Sequence, residues 1–292
     1  MSVARSTPPG ELETVRCPLC DSRDDTPLFE KDGFRFVRCQ SCLLAFVNPR
    51  LTAAELSRLY NEQVISGAHH YVNTAVEDSR SYRARVERLE QFQSPGRLLE
   101  IGCGPGTLMQ VARKRGWDVQ GLEINGQAVA HARSQELPVL EGVLPHPDLA
   151  GRQFDAIVMN DVIEHIPDPR AAASTVRELL VPGGIFFLTT PDIGSPLARL
   201  LGARWVHVKP LEHLVYFDRR TIRRFLDEQG FEILDLRSIG RVRNLGVAIE
   251  RLEWTSWKLS RLAKRCVPRA LAGRINLPVN PGDEMLIVAR AR

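Results

Sequence analysis

The chain has 292 residues, 43% of them hydrophobic and 25% charged, which is the profile of a soluble globular protein with a sizeable core. Its formal net charge of +4 is too small to indicate nucleic-acid binding by itself. The polar opening residues predict no signal peptide, and no stretch reaches the ~20 apolar residues of a membrane span, so we expect a cytoplasmic protein.

The first predicted unit, residues 1–50, is a small cysteine-bearing module. Its cysteines form two pairs of the type Cys-x-x-Cys, separated by eighteen residues: Cys17 and Cys20, then Cys39 and Cys42. In a reducing compartment such pairs are more typical of a metal than of disulfides, and four thiolates complete a tetrahedral zinc site with no open position. We therefore predict a zinc ribbon whose Zn²⁺ folds the module and does not catalyse. Four unrelated buried cysteines are the alternative.

Residues 51–94 are predicted to form a helical linker or cap. Thr52 is a candidate N-cap, and Glu55 follows it at the spacing of a capping box. Apolar residues then recur at helical spacing, and this predicts a helix with one face in the core. These residues are Tyr82, Val86, Leu89 and Phe92.

Between residues 95 and 192, predicted strands alternate with predicted helices. Such alternation is typical of a parallel, doubly wound α/β sheet. The predicted strands are 97–101, 118–122, 138–140, 154–160 and 184–190. The last predicted unit, residues 193–292, adds a helix near 218–229 and strands at 231–236 and 285–289.

A glycine-rich loop follows the first of these strands, at Gly102, Gly104 and Gly106. Glycines let the backbone turn sharply and approach a ligand closely, and open α/β sheets bind ligands at the carboxyl ends of their strands. A dinucleotide-binding loop would carry a glycine or alanine at position 107, where this chain has Thr107. The loop therefore argues against NAD. A loop that merely needs glycines for its turn is the alternative.

Three further motifs follow in chain order. The second strand runs to Glu123, and a carboxylate in this place can accept hydrogen bonds from both hydroxyls of a ribose. The fourth strand ends at Asn160 and runs into the segment 161–169, which contains Glu-His and ends in Pro-Asp-Pro. A Leu-Val-Pro-Gly-Gly loop at 180–184 precedes the fifth strand.

Together with the glycine loop, these motifs resemble the class I methyltransferases that use S-adenosylmethionine (SAM). The resemblance implies a Rossmann-like sheet of seven strands with SAM as the cofactor. The resemblance places the backbone around Gly102–Gly106 at the methionine part, Glu123 at the ribose, Ile124 at the adenine and Asn160 beside the methionyl portion. The implied cofactor-binding residues are Glu100, Gly102, Cys103, Gly104, Gly106, Glu123, Ile124 and Asn160. One residue departs from the family pattern, because Val143 stands where an aspartate near the adenine amine is usual. A backbone contact is the expected substitute.

The cysteine module, together with residues 283–289, resembles bacterial small-molecule methyltransferases, among them sugar C-methyltransferases of natural-product pathways. The resemblance is loose over residues 193–275. It therefore implies a small-molecule acceptor, such as a sugar, a polysaccharide or a natural-product precursor, without identifying it. Two alternatives stay open: an RNA methyltransferase, because some ribosomal-RNA methyltransferases also carry an N-terminal zinc module, and a non-catalytic SAM-binding or interaction protein.

Four side chains are candidates for a catalytic role. A hydroxyl or amine acceptor often needs a base near neutral pH, and histidine is the usual one. His165, beside Glu164, follows the fourth strand, while His207 and His213 follow the fifth, in a segment that crosses the acceptor pocket in related methyltransferases. Structural histidines are one alternative. A divalent cation on Glu164 and His165 is another, although two adjacent residues are a poor ligand set.

Residues 241–275 are rich in arginine and lysine and contain Trp254 and Trp257. Apolar residues at near-helical spacing predict a basic helical insertion here. A basic helix with tryptophans can contact RNA or lie weakly on an anionic membrane surface, in this chain through residues 249–265. The simpler interpretation is a helix that packs on the domain and keeps a solvated basic face.

Overall fold

The computed structural model of the chain describes residues 10–61, 75–244, 261–262 and 276–292. Two sheets dominate these residues: a small antiparallel sheet near the N-terminus and a seven-stranded sheet flanked by helices. One hydrophobic cluster contains Phe36 and Val47 of the small sheet together with Phe186 of the large sheet. The two units therefore share a core.

Short strands build the N-terminal module. They are β1 (Leu12–Glu13), β2 (Asp25–Lys31), β3 (Phe34–Cys39), β4 (Ala45–Val47) and β5 (Arg50–Leu51). β2, β3 and β4 pair antiparallel in that order, and β1 pairs with β5. β3 and β4 are rich in aromatic and β-branched residues, which favour strands, and Phe34, Phe36 and Val47 are buried.

Two helices come next along the chain. They are α1 (Ala53–Asn61) and α2 (Ala75–Leu89). The Thr52 hydroxyl oxygen accepts a hydrogen bond from the Glu55 amide at 3.3 Å, which is the contact expected of the predicted N-cap. α2 buries Val86 and Leu89 of its predicted apolar face and, with them, the side chain of Arg85. The predicted helical stretch between residues 62 and 74 lies outside the described residues.

The remaining elements follow in chain order. The strands are β6 (Arg97–Ile101), β7 (Asp118–Glu123), β8 (Val139–Glu141), β9 (Phe154–Asn160), β10 (Leu180–Pro191), β11 (Val215–Tyr216), β12 (Phe231–Ser238), β13 (Arg241–Asn244), β14 (Asn276–Val279) and β15 (Glu284–Ala291). The helices are α3 (Thr107–Lys114), α4 (Gly126–Ser134), α5 (Pro169–Leu179), α6 (Pro196–Leu201) and α7 (Arg219–Glu228). Short 3₁₀ turns lie at Pro147–Leu149, Ile163–His165 and Gly202–Arg204.

The large sheet has the strand order β12-β15-β10-β9-β6-β7-β8. Its five strands from β10 to β8 are parallel, whereas β15 runs antiparallel between β10 and β12. β6 and β9 are buried along most of their length and consist largely of apolar residues, as expected of parallel strands covered on both faces. The predicted Rossmann-like sheet of seven strands is confirmed, although β10 begins at Leu180 and not at residue 184.

The position of the candidate site follows from this strand order. The order reverses between β6 and β9, and open α/β sheets bind ligands beyond the carboxyl ends of their strands at such a point. The glycine loop after β6, Glu123 at the end of β7 and Asn160 at the end of β9 all lie at this edge. The small sheet also gains a fourth strand, because β11 pairs with β4.

β13, at the start of the predicted basic insertion 241–275, pairs antiparallel with β14, which directly follows that stretch. The first four residues of the predicted helical insertion are therefore a strand. Most of the predicted helix at 249–265 falls outside the described residues, and of the described pair, 261–262, Leu262 is exposed. In the described residues, no helix has the length and apolar character that crossing a membrane requires.

Candidate active site

Three glycines shape the loop between β6 and α3. Gly102, Gly104 and Gly106 have φ angles of +67°, +52° and +82°, which L side chains rarely adopt. A Cβ on Gly102 would lie 2.5 Å from the side chain of Val162, and one on Gly106 would lie 2.3 Å from that of Leu137. A Cβ on Gly104 would meet nothing within 4 Å. Packing thus requires two of the glycines, while the third faces open space beside the loop.

Glu123 ties this loop to the end of β7. One carboxylate oxygen accepts a hydrogen bond from the Gly104 amide and the other accepts one from the Asn125 amide, both at 2.8 Å. Burial raises the pKa of the carboxyl, and the backbone N–H groups of Asn125, Gly104 and Ile124 oppose that rise. The carboxylate retains free lone pairs, so it can still accept hydrogen bonds from a ligand.

Three further residues lie in the loop and on the predicted adenine side: Cys103, Ile124 and Val143. Cys103 is buried and packs so closely on Gly121 that a Cβ there would lie 2.7 Å from its sulfur. Ile124 is half-buried beside Glu123. Val143, in the place of the usual aspartate, is 57% exposed and offers no polar side chain.

A chain of hydrogen-bonded polar side chains connects α2 to the edge of the large sheet. Arg85 Nη1 donates to Asn160 Oδ1 at 2.9 Å, and Asn160 Nδ2 donates to Glu100 Oε1 at 3.4 Å. Within the described part of the chain, Arg85 Nε and Nη2 and Glu100 Oε2 are buried without a hydrogen-bond partner. Buried polar atoms without partners are costly, so these three atoms are suited to bind the polar groups of a ligand.

Burial raises the pKa of Glu100 to about 8, and the nearby Glu123 carboxylate adds to the rise. The hydrogen bond from Asn160 and the charge of Arg85 oppose it. The methionine part of SAM carries a carboxylate and an ammonium group, which match the unused donors of Arg85 and the unused acceptor of Glu100. The residues present therefore fit SAM.

Arg85 was not among the predicted site residues. It lies three residues after Tyr82 and four before Leu89, on the helical face that is predicted to lie in the core. A charged residue is almost never fully buried unless it is paired. An arginine on an apolar face was therefore the available signal for this part of the site.

A cluster of three histidines lies after the carboxyl ends of β9 and β10. The His165 and His213 rings are 4.7 Å apart and nearly perpendicular, and the His207 and His213 rings are 6.1 Å apart and nearly parallel. His213 Nδ1 and Glu164 Oε1 are buried and have no hydrogen-bond partner among the described residues. The Thr190 hydroxyl donates to the other Glu164 oxygen at 2.9 Å. The structure thus brings all four predicted catalytic side chains together.

Burial sets the protonation of this cluster. It lowers the pKa of His213 well below its usual value, and the neighbouring His165 and His207 add to the decrease. Burial also lowers the pKa of His165 to about 4. Burial raises the pKa of Glu164 well above its usual value, and the carboxylate of Asp161 adds to the rise. His165 and His213 are therefore unprotonated near pH 7, which is the state in which a histidine can accept a proton.

His207 lies at the edge of the cluster, close to two acidic residues that precede and begin β15. Its Nε2 is 3.6 Å from Glu284 Oε1 and 3.9 Å from Asp283 Oδ2. Trp205 Nε1 donates a hydrogen bond to Asp283 at 2.8 Å, and this bond holds the chain two residues before His207. These contacts give His207 a structural environment that His213 lacks at its Nδ1.

Two groups of side chains have the chemistry of metal ligands. The Sγ atoms of Cys17, Cys20, Cys39 and Cys42 lie within 4.8 Å of one another. The Cys17 and Cys42 sulfurs are 3.4 Å apart and those of Cys20 and Cys39 are 3.5 Å apart, close to the roughly 3.8 Å that a tetrahedral site with Zn–S bonds of about 2.3 Å requires. This cluster fits a zinc ribbon. Ligand atoms of Glu164, His165 and His213 also lie within 4.8 Å of one another, so His213 adds a third group to the pair weighed from the sequence.

A family model described as a methyltransferase domain matches residues 70–236. The chain belongs to this methyltransferase family. The matched residues contain the glycine loop, Glu123, Asn160 and the histidine cluster, whereas the cysteine cluster precedes them.

Curated relatives include ubiquinone biosynthesis O-methyltransferases from two bacteria. The one from Cereibacter sphaeroides is 28% identical over 172 residues, which cover 56% of this chain and 68% of the relative. The one from Psychrobacter arcticus is 34% identical over 125 residues, which cover 38% and 47%. The chain spans about half to two thirds of the length of these relatives.

Solved structures show the same fold. A SAM-dependent methyltransferase from Thermotoga maritima is 19% identical, with a TM-score of 0.53, and the match covers 82% of this chain and 100% of that one. A second, from Archaeoglobus fulgidus, is 17% identical with a TM-score of 0.52 and covers 76% and 99%. At this identity the likeness extends to the fold of the methyltransferase sheet.

Proposed function

We propose that this protein transfers the methyl group of SAM to a small molecule, such as a sugar, a polysaccharide or a natural-product precursor. One observation carries the proposal. The buried polar chain of Arg85, Asn160 and Glu100 and the histidine cluster both lie beyond the carboxyl ends of the parallel strands. A cofactor site and a set of neutral bases thus lie at one edge of the sheet. Relatives named as O-methyltransferases support an acceptor hydroxyl.

Each cofactor residue has a proposed task. Arg85 binds the carboxylate of SAM through its unused N–H groups, and Glu100, next to Asn160, binds the ammonium. Glu123 accepts hydrogen bonds from the ribose hydroxyls, and Ile124 packs against the adenine. Gly104 leaves room for the ligand beside the loop. When bound, SAM supplies a methyl group that its sulfonium already activates, so the protein chiefly positions the acceptor and excludes water.

We assign the role of general base to His213. Its Nδ1 is buried, lacks a partner and is unprotonated near neutral pH, so it can take the proton from an acceptor hydroxyl as that oxygen is methylated. Glu164, held by Thr190, and His165 border the same space and orient the acceptor. His207 is the second candidate base in the segment.

The proposed occupant of the cysteine cluster is one structural Zn²⁺. Four thiolates leave no open position on the metal, so it stabilises the module and takes no part in methyl transfer.

An assay of labelled methyl transfer tests the function. Purified protein and methyl-labelled SAM are incubated with an extract of the cells from which the protein comes, and the His213→Ala protein serves as the matched control. Label in small solutes that depends on His213 is the expected result. Label in nuclease-sensitive material would identify an RNA methyltransferase instead, and no label above a reaction without the protein would indicate a non-catalytic SAM-binding protein.

A further inference from the structure

The segment that carries two of the histidines is also part of the N-terminal ribbon. We call residues 205–217 the histidine segment. Its last residues form β11, where Val215 pairs with Phe46 and Tyr216 with Ala45. β11 is therefore the fourth strand of the ribbon sheet and not a strand of the methyltransferase sheet.

The peptide next to His213 is held from two sides. The Leu214 carbonyl oxygen accepts a hydrogen bond from the Val47 amide at 3.0 Å, and the Leu214 amide donates to the Glu164 carbonyl oxygen at 2.8 Å. The first bond comes from β4 of the ribbon, and the second goes to the 3₁₀ turn that carries Glu164 and His165. The backbone of Leu214, next to His213, thus connects the ribbon to the turn that carries Glu164 and His165.

Two side chains of the ribbon sheet, Lys31 of β2 and Tyr216 of β11, bond to the backbone of the histidine segment at Val208 and Lys209, ahead of His213. Lys31 Nζ donates to the Val208 carbonyl oxygen at 2.6 Å. The Tyr216 hydroxyl oxygen accepts a hydrogen bond from the Lys209 amide at 3.2 Å. The Tyr216 ring packs edge-on against the ring of Phe36 in β3, with the ring centroids 5.4 Å apart. The His213 amide in turn donates to the Lys209 carbonyl oxygen at 2.8 Å.

The cysteine cluster connects directly to β4. The Cys39 amide donates to the Leu44 carbonyl oxygen at 2.9 Å, and Leu44 immediately precedes β4. Leu43 has a φ of +69°, which places the turn between Cys39 and β4 in a conformation that needs support from its surroundings. A metal bound to Cys39 and Cys42 would supply that support.

We propose that the zinc ribbon is the positioning element of the acceptor side, with Lys31 and Tyr216 as positioning residues for His213. This inference rests on the proposed zinc occupancy and on the proposed role of His213. Metal on the four cysteines fixes β4, β4 fixes the histidine segment, and loss of the metal releases the segment. We expect SAM binding to be independent of the metal, because the bonds of Glu123 to the Gly104 and Asn125 amides involve no residue of the ribbon. The same holds for the bonds that join Arg85 to Asn160 and Asn160 to Glu100.

Hydrogen–deuterium exchange tests the proposal without an acceptor. The full-length protein is compared with Zn²⁺ bound and after treatment with a chelator, and SAM affinity is measured on both by calorimetry. We expect amides of residues 205–217 to exchange at least about tenfold faster after chelation, while those of 118–125 and the dissociation constant of SAM stay within about threefold. Faster exchange confined to residues 17–47 would overturn the proposal, as would a joint loss of protection in 118–125.

A pair of lysine variants keeps the test independent of ribbon unfolding. Lys31→Met removes the hydrogen bond to Val208 and retains the aliphatic stem, and Lys114→Met makes the same change at an exposed position on α3. We expect Lys31→Met to retain its zinc and its SAM affinity but to show about fivefold faster exchange in 205–217, with no such change in Lys114→Met. Equal exchange in the two variants would contradict the positioning role. Since no turnover is measured, the result is separate from the outcome of the methylation assay.

Discussion

The cofactor end of the site and the histidine cluster are built by different means. At the cofactor end, the Glu123 carboxylate bonds to backbone amides of adjacent loops, and glycines set the shape of the loop. In the histidine cluster, side chains from two distant segments meet, and burial sets their protonation. The first depends on local backbone geometry and the second on how separate units pack. Perturbing the ribbon should therefore separate the two.

The largest expected effect concerns the metal. Purified wild-type protein should contain about one Zn²⁺ per chain, and Cys39→Ser should lose it, because three thiolates bind far more weakly and folding of such modules is coupled to the metal. Metal analysis of the purified proteins measures this. Cys103→Ser, which changes a buried cysteine outside the cluster, should keep its zinc. Equal zinc content in Cys39→Ser and wild type would contradict the predicted zinc site.

His213→Ala should lower the catalytic rate roughly 10²–10⁴-fold and leave SAM affinity unchanged, because it removes only the base. His207→Ala, six residues away in the same segment, is the comparison variant and should lose much less. Steady-state rates and calorimetric titration measure the two effects. A stable His213→Ala protein with the wild-type rate would transfer the role to His165.

The pH profile sharpens the same assignment. A base acts when it is unprotonated, and burial lowers the pKa of His213 well below its usual value. The wild-type rate should therefore stay level as the pH falls from 8 to the ordinary histidine range near 6.5, and decline only at lower pH. A decline already centred near pH 6.5 would indicate a solvated histidine elsewhere.

Glu123→Ala should weaken SAM binding by about 1.5–3 kcal/mol, or roughly 10–150-fold, because charge-assisted hydrogen bonds to the ribose are lost. Glu141→Ala, at the exposed end of the neighbouring strand β8, is the matched control and should bind SAM as the wild type does. Calorimetry on both proteins decides the matter. Wild-type affinity in Glu123→Ala would refute the ribose assignment.

The contrast between local backbone geometry and the packing of separate units also explains which features could be predicted from the sequence. Glycine spacing, the acidic end of β7 and the apolar strand pattern are local signals, and they predicted the sheet and the loop beside it. The two cysteine pairs are local as well. Arg85 was missed because its meaning depends on the burial of a helix whose partners lie far along the chain. β11 was missed because a two-residue strand has no periodicity, and its partner β4 belongs to another unit.

The smallest expected effect is a pH dependence of SAM binding through Glu100. Its pKa is about 8, mainly because the carboxyl is buried, with Glu123 adding to the rise and Asn160 and Arg85 opposing it. The ammonium group of SAM favours the ionised carboxylate. Below pH 8 the free protein must therefore release a proton on binding, and affinity should rise about tenfold from pH 6 to pH 7.

Above that range the rise should stop, since an α-amino group such as that of SAM loses its own proton near pH 7.7–8.0. Calorimetry at pH 7 in two buffers of different ionisation enthalpy counts the protons, and we expect close to one released per SAM bound. Glu100→Gln is isosteric and cannot ionise, so it should show neither the slope nor the proton release. A wild-type affinity that is flat from pH 6 to 7, with no proton released, would mean that Glu100 stays protonated and does not bind the ammonium. The unused donors of Arg85 would then be left as the charged contact to the cofactor.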